Sequence, residues 1–214
     1  MLFRNYKARH IWAEERLYSR AASLRHYALG VLESNFDVAE FIESALPRFF
    51  GGRKTHVVAM IEECGAPAYA DLVNLSVHVD SDILRDARLG DAESRFALAH
   101  ECAHLVLHEG DAHFFSQQGE FAVKGAEPWQ TTEWQADRYA VGLLVTEDEV
   151  KSLREIERIV EVCQVPEWVA VERHEAVFSS RCLPPGALCR KCGDFLSSMS
   201  STSGACSSCE RQSR

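Results

Sequence analysis

Residues 95–108 read Arg95-Phe-Ala-Leu-Ala-His100-Glu101-Cys-Ala-His104-Leu-Val-Leu-His108, an apolar helical stretch with imidazoles and a carboxylate set into it in a fixed order. At 100° per residue, positions four apart share a helix face, so His100 and His104 point the same way. A neutral imidazole from each can bind one Zn2+. Glu101, beside the first, can take a proton from a water activated at that ion. A lone histidine on an apolar helix is ordinarily a core residue with a hydrogen-bond partner. Burying two histidines and a glutamate among Phe96, Ala97, Leu98, Ala99, Leu105 and Val106 is costly without a partner, and a metal supplies one. Gly90-Asp91 offers a turn and an N-cap, Glu93 falls in the first turn, and Gly110 can stop the helix. Cys102 projects off the His100/His104 face and reads as a small buried hydrophobe.

A catalytic zinc site has three protein ligands and an open fourth position, so the third ligand decides the class. The metzincin continuation is excluded, because Leu107 stands where its glycine belongs and Gly110 where its histidine belongs. Downstream, residues 131–145 read as a second helix capped by Thr131 or Thr132, with Glu133 and Asp137 on one face. In the functional reading Glu133 is the third ligand, and Asp137 accepts a hydrogen bond from the far nitrogen of a ligand histidine, fixing its tautomer. Ala136 between them lets the two helices approach. The alternative is a solvated acidic face, the usual fate of surface carboxylates.

The paired segments Arg95 to His108 and Glu133-Trp-Gln-Ala-Asp137-Arg-Tyr-Ala140, with the strand Leu75 to Asp80 before them, resemble the signatures of the ImmA/IrrE metallo-endopeptidases. The resemblance covers the middle two-thirds of the chain. It implies a zincin-like α+β fold, with the cleft between helices and a small sheet. His100, His104 and Glu133 match the zinc ligands and Glu101 the catalytic glutamate. It also implies a substrate: such enzymes typically cleave a helix-turn-helix repressor, releasing stress-response or mobile-element genes. Two features depart from the pattern. Ala103 replaces a common glycine, and typical members lack the C-terminal tail found here.

That tail carries Cys189-Arg-Lys-Cys192 and Cys206-Ser-Ser-Cys209 around a Ser- and Gly-rich loop, the pattern of a zinc ribbon. Four thiolates in two close pairs give a closed tetrahedral site, so this zinc is structural. The alternatives are a disulfide pair or a redox motif. Because Met1 to His10 shows no signal peptide, a reducing cytoplasm is expected, where thiols stay available for metal. Cys182 lies upstream at a less suitable spacing, and Cys64 and Cys163 read as core residues.

With 46% hydrophobic and 26% charged residues over 214 positions, the chain can bury one core and carry one small appendage. No apolar run is long enough to span a bilayer, so no membrane partner is expected. A formal net charge of −9 argues against a nucleic-acid footprint on the main domain. The tail is locally basic, with Arg181, Arg190, Lys191, Arg211 and Arg214 against Asp194 and Glu210, and a contact with nucleic acid or an acidic protein stays open there.

The pattern predicts three regions: an amphipathic helix within residues 1–36, a zincin-like metallopeptidase domain over 37–179, and a zinc-ribbon tail over 180–214, entered through Pro184-Pro185-Gly186. Leu17, Tyr18, Ala21, Leu24, Ala28, Val31 and Leu32 form the first helix's stripe, packed on the core or on a partner. A short helix starts at Asp37 and ends before Pro47. Strands follow at His56–Ile61 and Leu75–Asp80. Residues 111–130, with Phe114, Phe115, Phe121 and Trp129, form a loop over the cleft or pack ordinarily. Thr146 and Glu149 open one helix bearing Val150, Leu153, Ile156, Ile159 and Val160, and another follows near Pro166. The function expected is peptide hydrolysis in the cytoplasm with one catalytic and one structural zinc, Tyr139, His108 and His113 being candidates for the oxyanion donor. Three rivals are weighed: a SprT-like protease with a third histidine ligand, acting on DNA-associated protein; a non-catalytic, antitoxin-like binding module; and a zinc-ribbon DNA-binding regulator.

Overall fold

The computed structural model describes residues 5–29, 34–60, 67–111 and 123–178, and in the tail Cys189, Cys192, Asp194, Leu196 and residues 206–211. Cys64, His113, Phe114, Phe115, Phe121, Cys182 and the Pro184-Pro185-Gly186 linker lie outside the described residues. An extended lead-in places Lys7 in a β-bridge with Thr131. The first helix, α1 (Glu14–Leu29), then buries Leu17, Tyr18, Ala21, Leu24 and Ala28. This stripe belongs to the same continuous core as the elements that follow, so α1 packs on the core. Asp37 caps α2 (Val38–Glu40) by accepting from the N–H groups of Ala39 and Glu40. The chain then continues helically through a π-turn (Phe41–Ala45) and a 3-10 turn (Leu46–Arg48) where a stop before Pro47 was expected. Proline is tolerated there because the first turn needs no N–H from it.

The sheet has the order β1-β3-β2, with β1 (His56–Met60) parallel and β2 (Ala68–Asp71) antiparallel to β3 (Ser76–Asp80). Leu75, expected to open β3, has φ of 52° and instead closes the turn from β2. That turn is tied by the Asp71 carboxylate, which accepts from the N–H groups of Val73 and Asn74. Val77 and Val79 face the core as predicted. An unanticipated helix, α3 (Ser81–Arg88), precedes α4 (Ala92–His108), whose Asp91 cap accepts from Ser94 N–H. Next come α5 (Thr132–Leu144), capped by Thr131, and α6 (Glu147–Leu153), opened by the Thr146/Glu149 capping box. The stripe expected to be one helix is broken at Arg154, which has φ of 64°, and resumes as α7 (Ile156–Cys163); α8 (Glu167–Phe178) follows. A short α9 (Ser207–Arg211) belongs to the tail, where Cys189 and Leu196 form a separate small cluster.

The fold is thus mixed α/β and mostly helical. Helix α4 lies between the sheet and α5, and α5 between α4 and α1. Gly142 makes the α1–α5 crossing close: a Cβ there would sit 2.6 Å from the Tyr18 Cα. The far end of α5 is held by Arg25, fully buried, which donates to the carbonyls of Leu143 and Leu144 and pairs with Glu149 at 2.7 Å. Arg173 donates to the next carbonyl, Val145, at 2.9 Å. Those orphan carbonyls at a helix C-terminus need donors, and buried guanidinium groups supply them. Among the described residues no helix is long and apolar enough to cross a membrane. Gly142→Ala forces α1 and α5 apart and should destabilise the protein by about 1–3 kcal/mol, the range for overpacked cores. Thermal melting checks this, and an unchanged midpoint contradicts the close crossing.

Candidate metal centres

Helix α4 presents His100 and His104 toward α5, and the first turn of α5 presents Glu133 back to them. Their Nε2 atoms are 3.1 Å apart, His100 Nε2 is 3.2 Å from Glu133 Oε2, and His104 Nε2 is 3.4 Å from Glu133 Oε1. A tetrahedral zinc shell with ligands at about 2.0–2.1 Å has edges of about 3.3–3.4 Å, and each of these separations is near such an edge, the two imidazoles facing different oxygens of the Glu133 carboxylate. The donor chemistry also fits. The ring nitrogen His100 Nδ1 lies 2.8 Å from Asp137 Oδ1, and a carboxylate only accepts, so Nδ1 carries the hydrogen and Nε2 of the neutral ring is a bare lone pair. Lone pairs and a carboxylate brought this close repel unless a cation or a proton lies among them.

In the metal-free chain a proton takes that place. Burial alone would push the His100 ring down, but the hydrogen bonds to Asp137 and Glu133 outweigh it and raise the ring to about 10. For Glu133 burial works upward, and the two imidazoles overcome it to hold the carboxylate well below its usual range. Glu101 is different: burial dominates and raises it, with His104 and His100 opposing. One side of Glu101 is tied to the sheet, since Ala70 N–H donates to its carboxylate. Asp80 N–H pairs with the Pro67 carbonyl at 2.9 Å, and by alternation this leaves Ala70 N–H on the outer edge of β2, facing α4. The other oxygen, Oε2, is buried and has no hydrogen-bond partner among the described residues.

Asp137 therefore occupies the place expected of it. Neither described candidate for the oxyanion donor does. Tyr139 is 1% exposed in the core near Cys102, and burial raises both groups. His108 turns its Nδ1 to His104 Nδ1 at 3.1 Å and its Nε2 to Gln135 Oε1 at 3.4 Å, away from the cluster of Nε2 atoms. Burial pushes this ring down to about 3, with His104 adding to the effect. The sequence reading missed the roles of Ala70 and Gln135. A backbone N–H carries no side-chain signal, and a helical glutamine reads as surface.

In the tail, Cys189, Cys192, Cys206 and Cys209 bring their sulfurs within 4.8 Å of one another. Cys189 and Cys209 sulfurs are 4.0 Å apart, and those of Cys192 and Cys206 are 3.8 Å apart. A disulfide needs about 2.05 Å. A tetrahedral zinc with thiolates at about 2.3 Å has edges of about 3.8 Å. Backbone N–H groups of Cys206 and Cys209 donate to the sulfurs of Cys189 and Cys206, at 3.1 and 3.5 Å. Both clusters are therefore sets that can hold a metal ion.

No family model matches the sequence, and no curated protein matches it. A comparison of structures finds similarity to a Mycobacterium tuberculosis transcriptional regulator, 14% identical, with a TM-score of 0.48 over 78% of this chain and 48% of that one. The chain spans about half the length of that regulator.

Metal binding at the histidine cluster has to expel the proton that His100 holds up to about pH 10. Below that pH the metal-free state binds one more proton than the loaded state, so affinity rises with pH, by about tenfold per unit, and levels off above it. Calorimetric titration in two buffers of different ionisation enthalpy, with the cysteine cluster already loaded, should show release of about one proton per ion at neutral pH. Release of none contradicts the protonation state assigned to His100.

Proposed function

We propose that the chain is a zinc-dependent endopeptidase of the ImmA/IrrE kind on a zincin-like fold. It hydrolyses a peptide bond in a regulatory protein, a helix-turn-helix repressor being the substrate class its sequence resemblance implies. The observation that carries this reading is the position of Glu101, one residue along α4 from His100. Its buried carboxylate is anchored on one side by Ala70 N–H and lacks a hydrogen-bond partner on Oε2 among the described residues. A structural carboxylate would be expected to use both oxygens, and a general base needs one free.

His100, His104 and Glu133 would hold the catalytic zinc, which when bound polarises the scissile carbonyl and acidifies water at neutral pH. Glu101, made more basic by burial, accepts one proton from the attacking water as its oxygen bonds to the carbonyl carbon. It then delivers that proton to the amine nitrogen as the C–N bond breaks. Asp137 keeps the His100 ring oriented. The outer edge of β2 borders the site and offers an extended peptide a strand to lie against. Cys189, Cys192, Cys206 and Cys209 would hold a second, structural zinc with no position open for chemistry. The orientation of His108 supports Glu133 over a third histidine, and so supports this reading over a SprT-like site.

Glu101→Gln keeps the shape and removes the base. Metal content should be unchanged, while cleavage of a purified helix-turn-helix repressor falls by about 10²- to 10⁴-fold, the usual contribution of a general base. Cleavage at the wild-type rate by this variant contradicts the assignment.

A further inference from the structure

We infer that His108 and Gln135 form a directed hydrogen-bond relay that fixes the tautomer of His104 and so presents its Nε2 lone pair to the metal. The inference rests on the reading of His104 as a ligand, and adds two positioning residues that the ligand pattern does not contain.

The direction of each bond follows from the far end. Gln135 Nε2 lies 2.8 Å from the His10 carbonyl and 3.4 Å from the Trp129 carbonyl. Carbonyl oxygens only accept, so the group facing them is the amide NH2, and Gln135 Oε1 is left pointing at His108 as an acceptor. His108 Nε2, 3.4 Å from that oxygen, must then carry the hydrogen. In the neutral, buried ring this makes His108 Nδ1 the acceptor, so His104 Nδ1, 3.1 Å away, is the donor. A neutral His104 with its hydrogen on Nδ1 has its lone pair on Nε2, the atom that faces Glu133 and His100. His100 is oriented by a carboxylate, Asp137. Its partner ligand is oriented by a neutral chain instead, which adds no second negative charge to the buried side of the site.

The relay also explains an architectural feature. Its outer anchor is the His10 carbonyl, in the extended N-terminal segment that pairs through Ala8 N–H to the Gln130 carbonyl at 2.7 Å and through Thr132 N–H to the Tyr6 carbonyl at 2.9 Å. Pairing of the N-terminal segment with the entry to α5 thereby reaches a metal ligand on α4.

The test uses the full-length chain with Co2+ and Zn2+ as probes. Thiolate charge-transfer bands separate the cysteine cluster from the histidine cluster and serve as an internal control of folding. His108→Leu keeps apolar volume and removes the acceptor. It should weaken metal at the histidine cluster by about 10- to 100-fold, the effect of losing an outer partner of a ligand. His108→Asn, smaller and polar, places an amide oxygen where Nδ1 stood and should recover most of that loss. A role in packing alone predicts the reverse order. Independently of any variant, long-range 1H–15N spectra of the metal-free wild type should show His104 protonated on Nδ1 and His108 on Nε2. Wild-type affinity in His108→Leu, no recovery in His108→Asn, or the opposite tautomers would overturn the relay while leaving the metal site standing. A wild type that takes up no metal at the histidine cluster overturns both.

Discussion

Three electron-rich groups, two imidazoles from α4 and a carboxylate from α5, bring their facing atoms to 3.1 to 3.4 Å at a junction that excludes most water. That contact would be unfavourable with every acceptor bare; in the metal-free chain the proton on His100 relieves it, while the packing of α4 against α5 fixes its geometry from outside. Ala136, fully buried, lets the helices approach, and the Gly142 contact seats α5 on α1. Arg25 and Arg173 saturate the carbonyls at the far end of α5. The N-terminal segment fixes the near end, and the sheet backs α4 through the bond from Ala70 to Glu101. A frame that holds the donor groups in place is what a pre-organised cation site requires, and an ion entering it displaces the proton on His100.

Electrostatics then separates two neighbouring glutamates. Glu133 has imidazoles on both oxygens and stays ionised, as a ligand must. Glu101 is dominated by burial and holds a proton more readily, which suits the general-base role proposed for it. Two facing helices therefore supply carboxylates of different character, because Glu133 on α5 faces the imidazoles while Glu101 on α4 faces the sheet edge. The tail cluster differs in its donors: all four groups are sulfurs, within 4.8 Å of one another.

The candidate site was legible in the sequence where its geometry is local. Spacing of four residues on a helix fixes the His100/His104 and Glu133/Asp137 faces before any tertiary contact, and Asp91, Thr131 and Thr146 announce their helices by cap chemistry. What was missed depends on contacts distant in sequence. Strand β2 is short and its Ala-Tyr-Ala-Asp pattern carries little alternation; only pairing with β3 makes it a strand. The break at Arg154 requires a left-handed residue that no glycine signals. Helix α3 is amphipathic but only eight residues long, too short for its periodicity to stand out in the sequence. Tyr139 follows the Glu133/Asp137 face in sequence yet points into the core, while Gln135, unremarkable as a residue type, reaches two carbonyls from separate segments.

In the proposed site His100, His104 and Glu133 share one zinc ion. Anomalous X-ray scattering from a crystal of the full chain, recorded on both sides of the zinc absorption edge, tests it most directly. One peak is expected between the two Nε2 atoms and the Glu133 carboxylate, and a second amid the four cysteine sulfurs. A peak only at the cysteines, or one at the histidines with Glu133 turned away and another side chain in its place, would contradict it.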